Sequence, residues 1–108
     1  MAQFNDIPLA ELQARLADGT VTLVDVREQD EWNAGHIKGA LFLPLSRFDL
    51  GKLPPPEPDK KIVVYCRSGK RSVSAMEQAR LLGRRDVDTH LGGGILAWLN
   101  AGLEVEKS

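Results

Sequence analysis

The 108-residue chain has a single cysteine, Cys66, so it cannot form an internal disulfide. Nothing in its cysteine usage points to an oxidising compartment, and we expect a cytoplasmic protein. One cysteine and two separated histidines are too few for a zinc site, so we expect no metal. The glycine run at 92–94 lacks the spacing and the acidic partner of a dinucleotide-binding loop. We therefore expect no organic cofactor either.

The chain also has little net charge and no long apolar segment. A formal net charge of −1 gives no overall field to attract nucleic acid, so we expect no nucleic-acid partner. Residues 1–6 lack the basic start and apolar stretch of a signal peptide, and no segment is apolar enough to span a membrane. With 43% apolar residues, we expect one domain over 1–108. No segment resembles a dedicated dimerisation helix, so we expect a monomer.

Apolar strand-like runs alternate with helical patterns along the chain. The patterns predict strands at 21–26, 40–43, 62–65 and 87–90, and helices at 8–17, 28–34, 71–82 and 95–101. Four prolines within 51–59 indicate a stiff connector without helix or central strand. Alternation of helices with continuously apolar strands predicts an α/β fold whose parallel sheet is covered on both faces.

Cys66 comes directly after the most apolar strand and opens a short polar loop before a helix. Ligands of parallel sheets bind beyond the carboxyl ends of the strands, where turn amides and a helix N-terminus stabilise a thiolate. A lone cysteine is most often an inert buried side chain. Here, however, three cations lie within the next five residues: Arg67, Lys70 and Arg71. This local charge predicts a nucleophilic cysteine and a small anionic substrate.

Three ordered blocks of sequence resemble a known family. The first block is LVDVR at 23–27, followed by residues 31–32, 35–40 and 43–44. The second block is VVYCRSGKRS at 63–72. The third block is LGGG at 91–94, followed by residues 98 and 102. The chain resembles the rhodanese family, specifically single-domain rhodanese-like thiosulfate sulfurtransferases. Leu103 departs from the proline or aromatic-proline pair that such domains often carry there. The resemblance implies a rhodanese-like three-layer fold with a five-stranded parallel sheet flanked by helices.

The resemblance also implies a ping-pong sulfur transfer through Cys66. The Cys66 thiolate takes the outer sulfur of thiosulfate or another persulfide donor and becomes a persulfide. Cyanide or a thiol acceptor then takes that sulfur. The implied anion-binding loop has backbone amides that point at the sulfur, and its residues are Arg67, Ser68, Gly69, Lys70, Arg71 and Ser72.

Individual roles in this loop follow from the side-chain chemistry. Arg71, at the helix start, is predicted to bind the donor anion directly, because a guanidinium can donate hydrogen bonds to two oxygens at once. Lys70 is the next candidate, and Arg67 is expected to face solvent or a partner. Ser72 has two open interpretations: its hydroxyl bonds the sulfur, or it is a first-turn residue of the helix.

Four residues outside the loop are predicted to be structural. Asp25 and Arg27 are expected to support the site by tying loops together through ion pairs and backbone bonds. His36 is expected to fix its own turn by hydrogen bonds. His90 is expected to pack locally. We expect no acid–base pair beside Cys66, since sulfite leaves thiosulfate without needing a proton.

Several alternatives remain open at this stage. Phosphatases of related fold have the loop Cys-x5-Arg, whereas here Ser72 occupies that position and the loop to Arg71 is one residue shorter. A persulfide relay, in which a partner desulfurase loads Cys66 for a thiolation or cofactor-building enzyme, uses identical chemistry. A non-catalytic binding module is disfavoured because the cysteine and its cations are kept. Arsenate reduction or thiol peroxidase activity normally needs a resolving cysteine, and the chain has no second one.

Overall fold

The computed structural model describes residues 4–107, which form an α/β fold with a five-stranded parallel sheet of order β1-β5-β4-β2-β3. The strands are β1 (Asn5–Asp6), β2 (Val21–Asp25), β3 (Leu41–Phe42), β4 (Lys61–Tyr65) and β5 (Thr89–His90). The α-helices are α1 (Leu9–Asp18), α2 (Gln29–Ala34), α3 (Lys70–Leu81) and α4 (Gly94–Asn100). The signal-peptide and single-domain predictions extend to residues 1–3 and 108, which lie outside the described residues.

The eight elements predicted from the residue pattern are all present, with some differences in extent. The last strand pairs only over Thr89–His90, and the strand at 40–43 is reduced to Leu41–Phe42. The connector prediction was wrong at its start, because Gly51 lies in a short 3₁₀ helix, Leu50–Lys52, where the Asp49 carboxylate caps its amide. A second 3₁₀ helix covers Leu45–Arg47.

The residue pattern alone missed β1, the fifth strand that the family resemblance implied. It is two residues long and exposed, so it has no apolar signal. Its place is set by pairing with β5: the Asn5 amide donates to the Asp88 carbonyl at 2.8 Å, and the Ile7 amide donates to the His90 carbonyl at 2.9 Å.

The central strand, β4, separates two apolar cores. Because side chains alternate across a strand, Ile62 and Val64 face one core, where α3 contributes Met76. Val63 and Tyr65 face the other core, which contains side chains from α1 and α4. Cys66 continues the alternation and joins the α3 side, so its sulfur is directed toward the start of α3.

The carboxyl edge of the sheet brings together three loops that follow β2, β4 and β5. The start of α4 is fastened to the Cys66 loop, since the Ile95 amide donates to the Cys66 carbonyl at 2.9 Å and the Leu96 amide donates to the Arg67 carbonyl at 3.3 Å. This edge therefore holds the candidate site. Among residues 4–107, no helix has both the length and the apolar character needed to cross a membrane.

Candidate active site

Cys66 is only 1% exposed, and its sulfur accepts hydrogen bonds from the loop that follows it. The Gly69 amide donates to Sγ at 3.1 Å and the Ser72 amide at 3.4 Å. Gly69 is the N-cap of α3 and has φ +105°, a left-handed conformation that favours glycine. This turn lets the loop amides converge on one atom.

The donors around the sulfur favour its charged form. Burial raises the pKa of the Cys66 thiol, but the Ser72 hydroxyl and the amides of Ser72, Gly69 and Ser68 together lower it by more. The net result is a pKa below the ordinary value. Since the thiolate is the nucleophilic form of cysteine, the site is built to activate Cys66.

Glycines allow the β5–α4 turn to approach the loop closely. Gly69 lies against the carbonyl of Gly92, so that a Cβ at Gly69 would collide with it. A Cβ at Gly94, where φ is +61°, would likewise collide with the carbonyls of Arg67 and Cys66. The glycine run at 92–94 thus packs directly against the cysteine loop.

The Ser72 side chain fills both roles that the sequence left open. It lies in the first turn of α3, and its Oγ is 3.6 Å from Cys66 Sγ. Its hydroxyl also lies 3.1 Å from the Gly69 carbonyl and 2.7 Å from Nδ1 of His90. The sequence analysis predicted only local packing for His90 and did not anticipate this polar contact.

The Arg71 guanidinium is engaged by a carboxylate that the sequence analysis did not assign to the site. Arg71 donates from Nη1 and Nη2 to the two carboxylate oxygens of Glu31 on α2, at 2.6 and 2.8 Å. This hydrogen-bonded pair lowers the pKa of Glu31 to about 2. Glu31 also forms the capping box of α2 with Glu28, which fixes its place in the first turn of that helix.

The other two cations of the loop lie at the surface. Arg67 and Lys70 are exposed beside the buried sulfur. Arg67 borders a groove of about 360 Å³ that Glu31 and the apolar side chains of Leu96 and Leu99 also line. Both cations are therefore placed to meet an approaching anion or partner.

Asp25 and Arg27 form a buried hydrogen-bonded ion pair at the end of β2. Arg27 donates to both carboxylate oxygens of Asp25 and, at 2.7 Å, to the carbonyl of Gly35. The Tyr65 hydroxyl donates to Asp25 at 2.7 Å and accepts from the Ile37 amide at 3.0 Å. This buried network joins β2, β4 and the segment after α2, which is the structural role that the sequence analysis proposed.

His36 is also held locally. Its Nδ1 lies 2.9 Å from the Trp32 carbonyl, and its ring stacks on Trp32 with centroids 3.5 Å apart. Within residues 4–107, no group of three or more His, Cys, Asp or Glu side chains is arranged to hold a metal ion.

Fold and site together define an α/β protein with a buried, activated cysteine at the carboxyl edge of a parallel sheet. Residues 8–101 match the family model of the rhodanese-like domain. The chain belongs to the rhodanese-like domain family, as its three sequence blocks predicted.

Relatives of similar length agree with this assignment. A protein from Allochromatium vinosum named sulfurtransferase is 39% identical over 102 residues, covering 94% of each chain. A human protein named thiosulfate:glutathione sulfurtransferase is 32% identical over 105 residues, covering 85% of this chain and 91% of that protein. The structure of a human single-domain sulfurtransferase has a TM-score of 0.72 at 31% identity, covering 88% of this chain and 95% of that one.

Other curated relatives are longer proteins. The chain spans 53%, 44% and 25% of the length of three of them. In those proteins the matching region is one part of a larger molecule.

Proposed function

We propose that this protein moves a sulfane sulfur from thiosulfate, or from another persulfide donor, to a thiophilic acceptor through a persulfide on Cys66. The observation that carries the proposal is the buried Cys66 sulfur, with hydrogen bonds from the Gly69 and Ser72 amides. The human relative named thiosulfate:glutathione sulfurtransferase supports thiosulfate as donor and a thiol as acceptor. Cyanide serves as the acceptor in the assay.

In the first step, the Cys66 thiolate attacks the outer sulfur of thiosulfate. A new S–S bond forms at Cys66 while the S–S bond of the donor breaks, and sulfite leaves with the bonding electron pair. Sulfite needs no proton to leave, so the step needs a thiolate and stabilisation of anionic sulfur. Removing one donor from such an anion-stabilising ring typically costs about 10²–10³ in rate.

In the second step, the acceptor attacks the outer sulfur of the persulfide. Cys66 then departs as a thiolate, and the same amides and the Ser72 hydroxyl stabilise the charge that returns to it. The ring of donors therefore acts in both half-reactions.

Donor recognition is assigned to the cations at the mouth of the site. Arg67 and Lys70 are exposed and attract a doubly charged anion, while Arg71 is held in place by Glu31. A guanidinium has five N–H donors, and Glu31 uses two of the Arg71 nitrogens. Arg71 therefore keeps N–H groups for the oxygens of the donor.

We also propose a cytoplasmic monomer that acts without metal, organic cofactor, nucleic acid or membrane. The near-neutral charge of the chain and its single cysteine support this proposal.

A persulfide relay is the second candidate function. Leu96 and Leu99, 36% and 47% exposed, lie beside Arg67 in the groove next to the cysteine loop. Exposed leucines around a reactive cysteine favour contact with a protein that delivers or receives the sulfur. In this case a partner desulfurase replaces thiosulfate as donor.

The deciding experiment is the intact mass of the protein before and after incubation with thiosulfate, and again after cyanide. We expect a gain of about 32 Da, one sulfur, as expected for a covalent intermediate, and its removal as thiocyanate. The Cys66→Ser variant is the control and should gain nothing. A gain from a cysteine desulfurase but not from thiosulfate supports the relay, and no gain from either contradicts both functions.

A further inference from the structure

A continuous polar chain leads from the reactive sulfur to a histidine. Cys66 Sγ lies 3.6 Å from Ser72 Oγ, which lies 2.7 Å from His90 Nδ1. Ser72 and His90 are 18 residues apart in sequence and meet because α3 packs against β5. The contact places a titratable ring one side chain away from Cys66, a position that the sequence analysis did not predict for His90.

The Ser72 hydroxyl has one proton and three neighbours that can accept it. They are Cys66 Sγ, the Gly69 carbonyl and His90 Nδ1, and the contact to His90 is the shortest. When Nδ1 carries no proton, Ser72 donates to His90 and its oxygen accepts from the Cys66 S–H. When Nδ1 is protonated, it donates to Ser72 Oγ, and the hydroxyl proton is free to bond a thiolate. The charge of the sulfur and the protonation of His90 are therefore coupled.

We propose that His90 receives the thiol proton of Cys66 through Ser72 and thereby acts as a positioning residue for the thiolate. The S–H bond breaks with both electrons left on sulfur, and its proton passes to Ser72 Oγ. The original hydroxyl proton of Ser72 moves to His90 Nδ1. The products are a thiolate, an intact serine and an imidazolium, and no other reactant is needed. The use of this thiolate rests on the proposed sulfur transfer, although its formation does not.

The groups that face His90 come from three elements and act in opposite directions on its affinity for a proton. On β1, Asp6 pairs in register with His90, and its negative charge favours the imidazolium. On β4, Val64 is its partner, and the Cys66 thiol follows that strand. The buried residues of α3 are uncharged: Ser72, Ala75, Met76 and Ala79. Burial lowers the pKa of His90, and the negative charge of Asp6 opposes this shift.

The test is the pH dependence of Cys66 alkylation by iodoacetamide, which reads one thiol because the chain has one cysteine. His90→Asn keeps a polar group near Ser72 but cannot titrate in this range. We expect it to move the midpoint of alkylation upward by about one pH unit, roughly tenfold slower at neutral pH. Ser72→Ala should give a similar shift, and the double variant should add little to it, because both act along one chain.

His36→Asn is the matched control, since His36 bonds the Trp32 carbonyl and should leave the profile unchanged. Thermal unfolding of each variant checks that it folds. A wild-type alkylation profile in folded His90→Asn overturns the proposal. The alkylation assay uses no sulfur donor. Failure of the His90 proposal therefore shows in the alkylation profile, whereas failure of the proposed function shows as no mass gain in the mass experiment.

A second measurement avoids substitution of His90. An NMR titration follows the His90 imidazole in the wild-type protein and in Cys66→Ser. We expect the pKa of His90 to be lower in Cys66→Ser, because the thiolate that stabilises the imidazolium is gone. Identical titrations in the two proteins contradict the coupling.

Discussion

The Arg71 side chain is restrained by an ion pair with Glu31, which bears on its proposed role in anion binding. Glu31 holds the guanidinium through two short hydrogen bonds, and both side chains remain partly exposed. The carboxylate fixes the direction of the guanidinium but also partly neutralises its charge. Arg71 is thus an oriented donor, whereas Lys70 is a more mobile point charge.

Replacing Arg71 by alanine should raise the KM for thiosulfate more than the KM for an uncharged persulfide donor. The reason is that only the anionic donor uses the guanidinium. Steady-state kinetics with both donors measure the difference. Arg85→Ala is the control, because Arg85 is exposed beyond the far end of α3. Equal effects of Arg71→Ala on the two donors would mean that Arg71 only supports the loop.

The sequence predicted Cys66 and its cations because they are neighbours along the chain. A strand end, a glycine turn and a helix start are local features, and their chemistry can be read together. Glu31 and His90 could not be found in this way, because they lie 40 and 18 residues from the side chains that they contact. The ion pair between α2 and α3 and the packing of β5 against α3 bring these residues to the site.

At the scale of elements, the Glu31–Arg71 pair is also a bridge between α2 and α3. Helix α2 has six residues and buries none of them, so apolar packing contributes little to its position. The ion pair connects it to α3, while its capping box stabilises its own first turn. Acid should therefore weaken this connection.

Glu31→Gln should remove a pH-dependent part of the stability. The pKa of Glu31 is lowered from its ordinary 4.5 to about 2 in the folded protein. A lowered pKa contributes stability that is present above 4.5 and is lost as the pH falls through about 2. Urea unfolding at several pH values should show wild type more stable than Glu31→Gln near neutrality, with the difference shrinking in acid. Asp30→Asn on the same helix is the control, and a pH-independent difference would contradict the assignment.

A Cβ at Gly94 should damage the cysteine loop. The added carbon meets the carbonyls of Arg67 and Cys66, and the backbone is left-handed there, so the loop must shift. We expect iodoacetamide alkylation of Gly94→Ala to slow by about tenfold at neutral pH, as a pKa rise of about one unit implies. Gly19→Ala has a similarly positive φ with no neighbour within 4 Å, and should leave the thiol unchanged. Normal alkylation of Gly94→Ala would show that the close turn is not needed.

The strands show how far an apolar pattern can predict this fold. β2 and β4 are rich in β-branched residues and were placed to within a residue or so of their ends. β1 and the shortened β5 pair over only two residues each, and β1 is exposed and held at the sheet edge by its pairing with β5. Pairing of this kind is a property of the assembled sheet.

At the scale of the whole molecule, the sheet separates two cores. One buried hydroxyl, that of Tyr65, joins strands β2 and β4 to the segment after α2. Tyr65 is fully buried and joins the Asp25 carboxylate to the Ile37 amide. Its phenol remains neutral, because burial and the negative charge of Asp25 raise its pKa. The network therefore connects the central strands to the segment that follows α2.

Tyr65→Phe should reduce the free energy of unfolding by about 1–3 kcal/mol, because it leaves buried polar groups without a partner. Urea denaturation measures the change. Leu81→Ala is the control, since Leu81 is 85% exposed and should change stability by less than about 0.5 kcal/mol. An unchanged midpoint for Tyr65→Phe would show that water replaces the hydroxyl at no cost.

The burial of Cys66 has a consequence for which molecules can react with each form of the protein. The resting sulfur is almost inaccessible, so bulky oxidants and alkylating agents are hindered from reaching it. A sulfane sulfur bound to Cys66 lies about 2 Å from Sγ, the length of an S–S bond. In the proposed cycle, the donor must therefore be reached by the buried Sγ itself, whereas the acceptor attacks this second sulfur. The two half-reactions thus take place at different atoms.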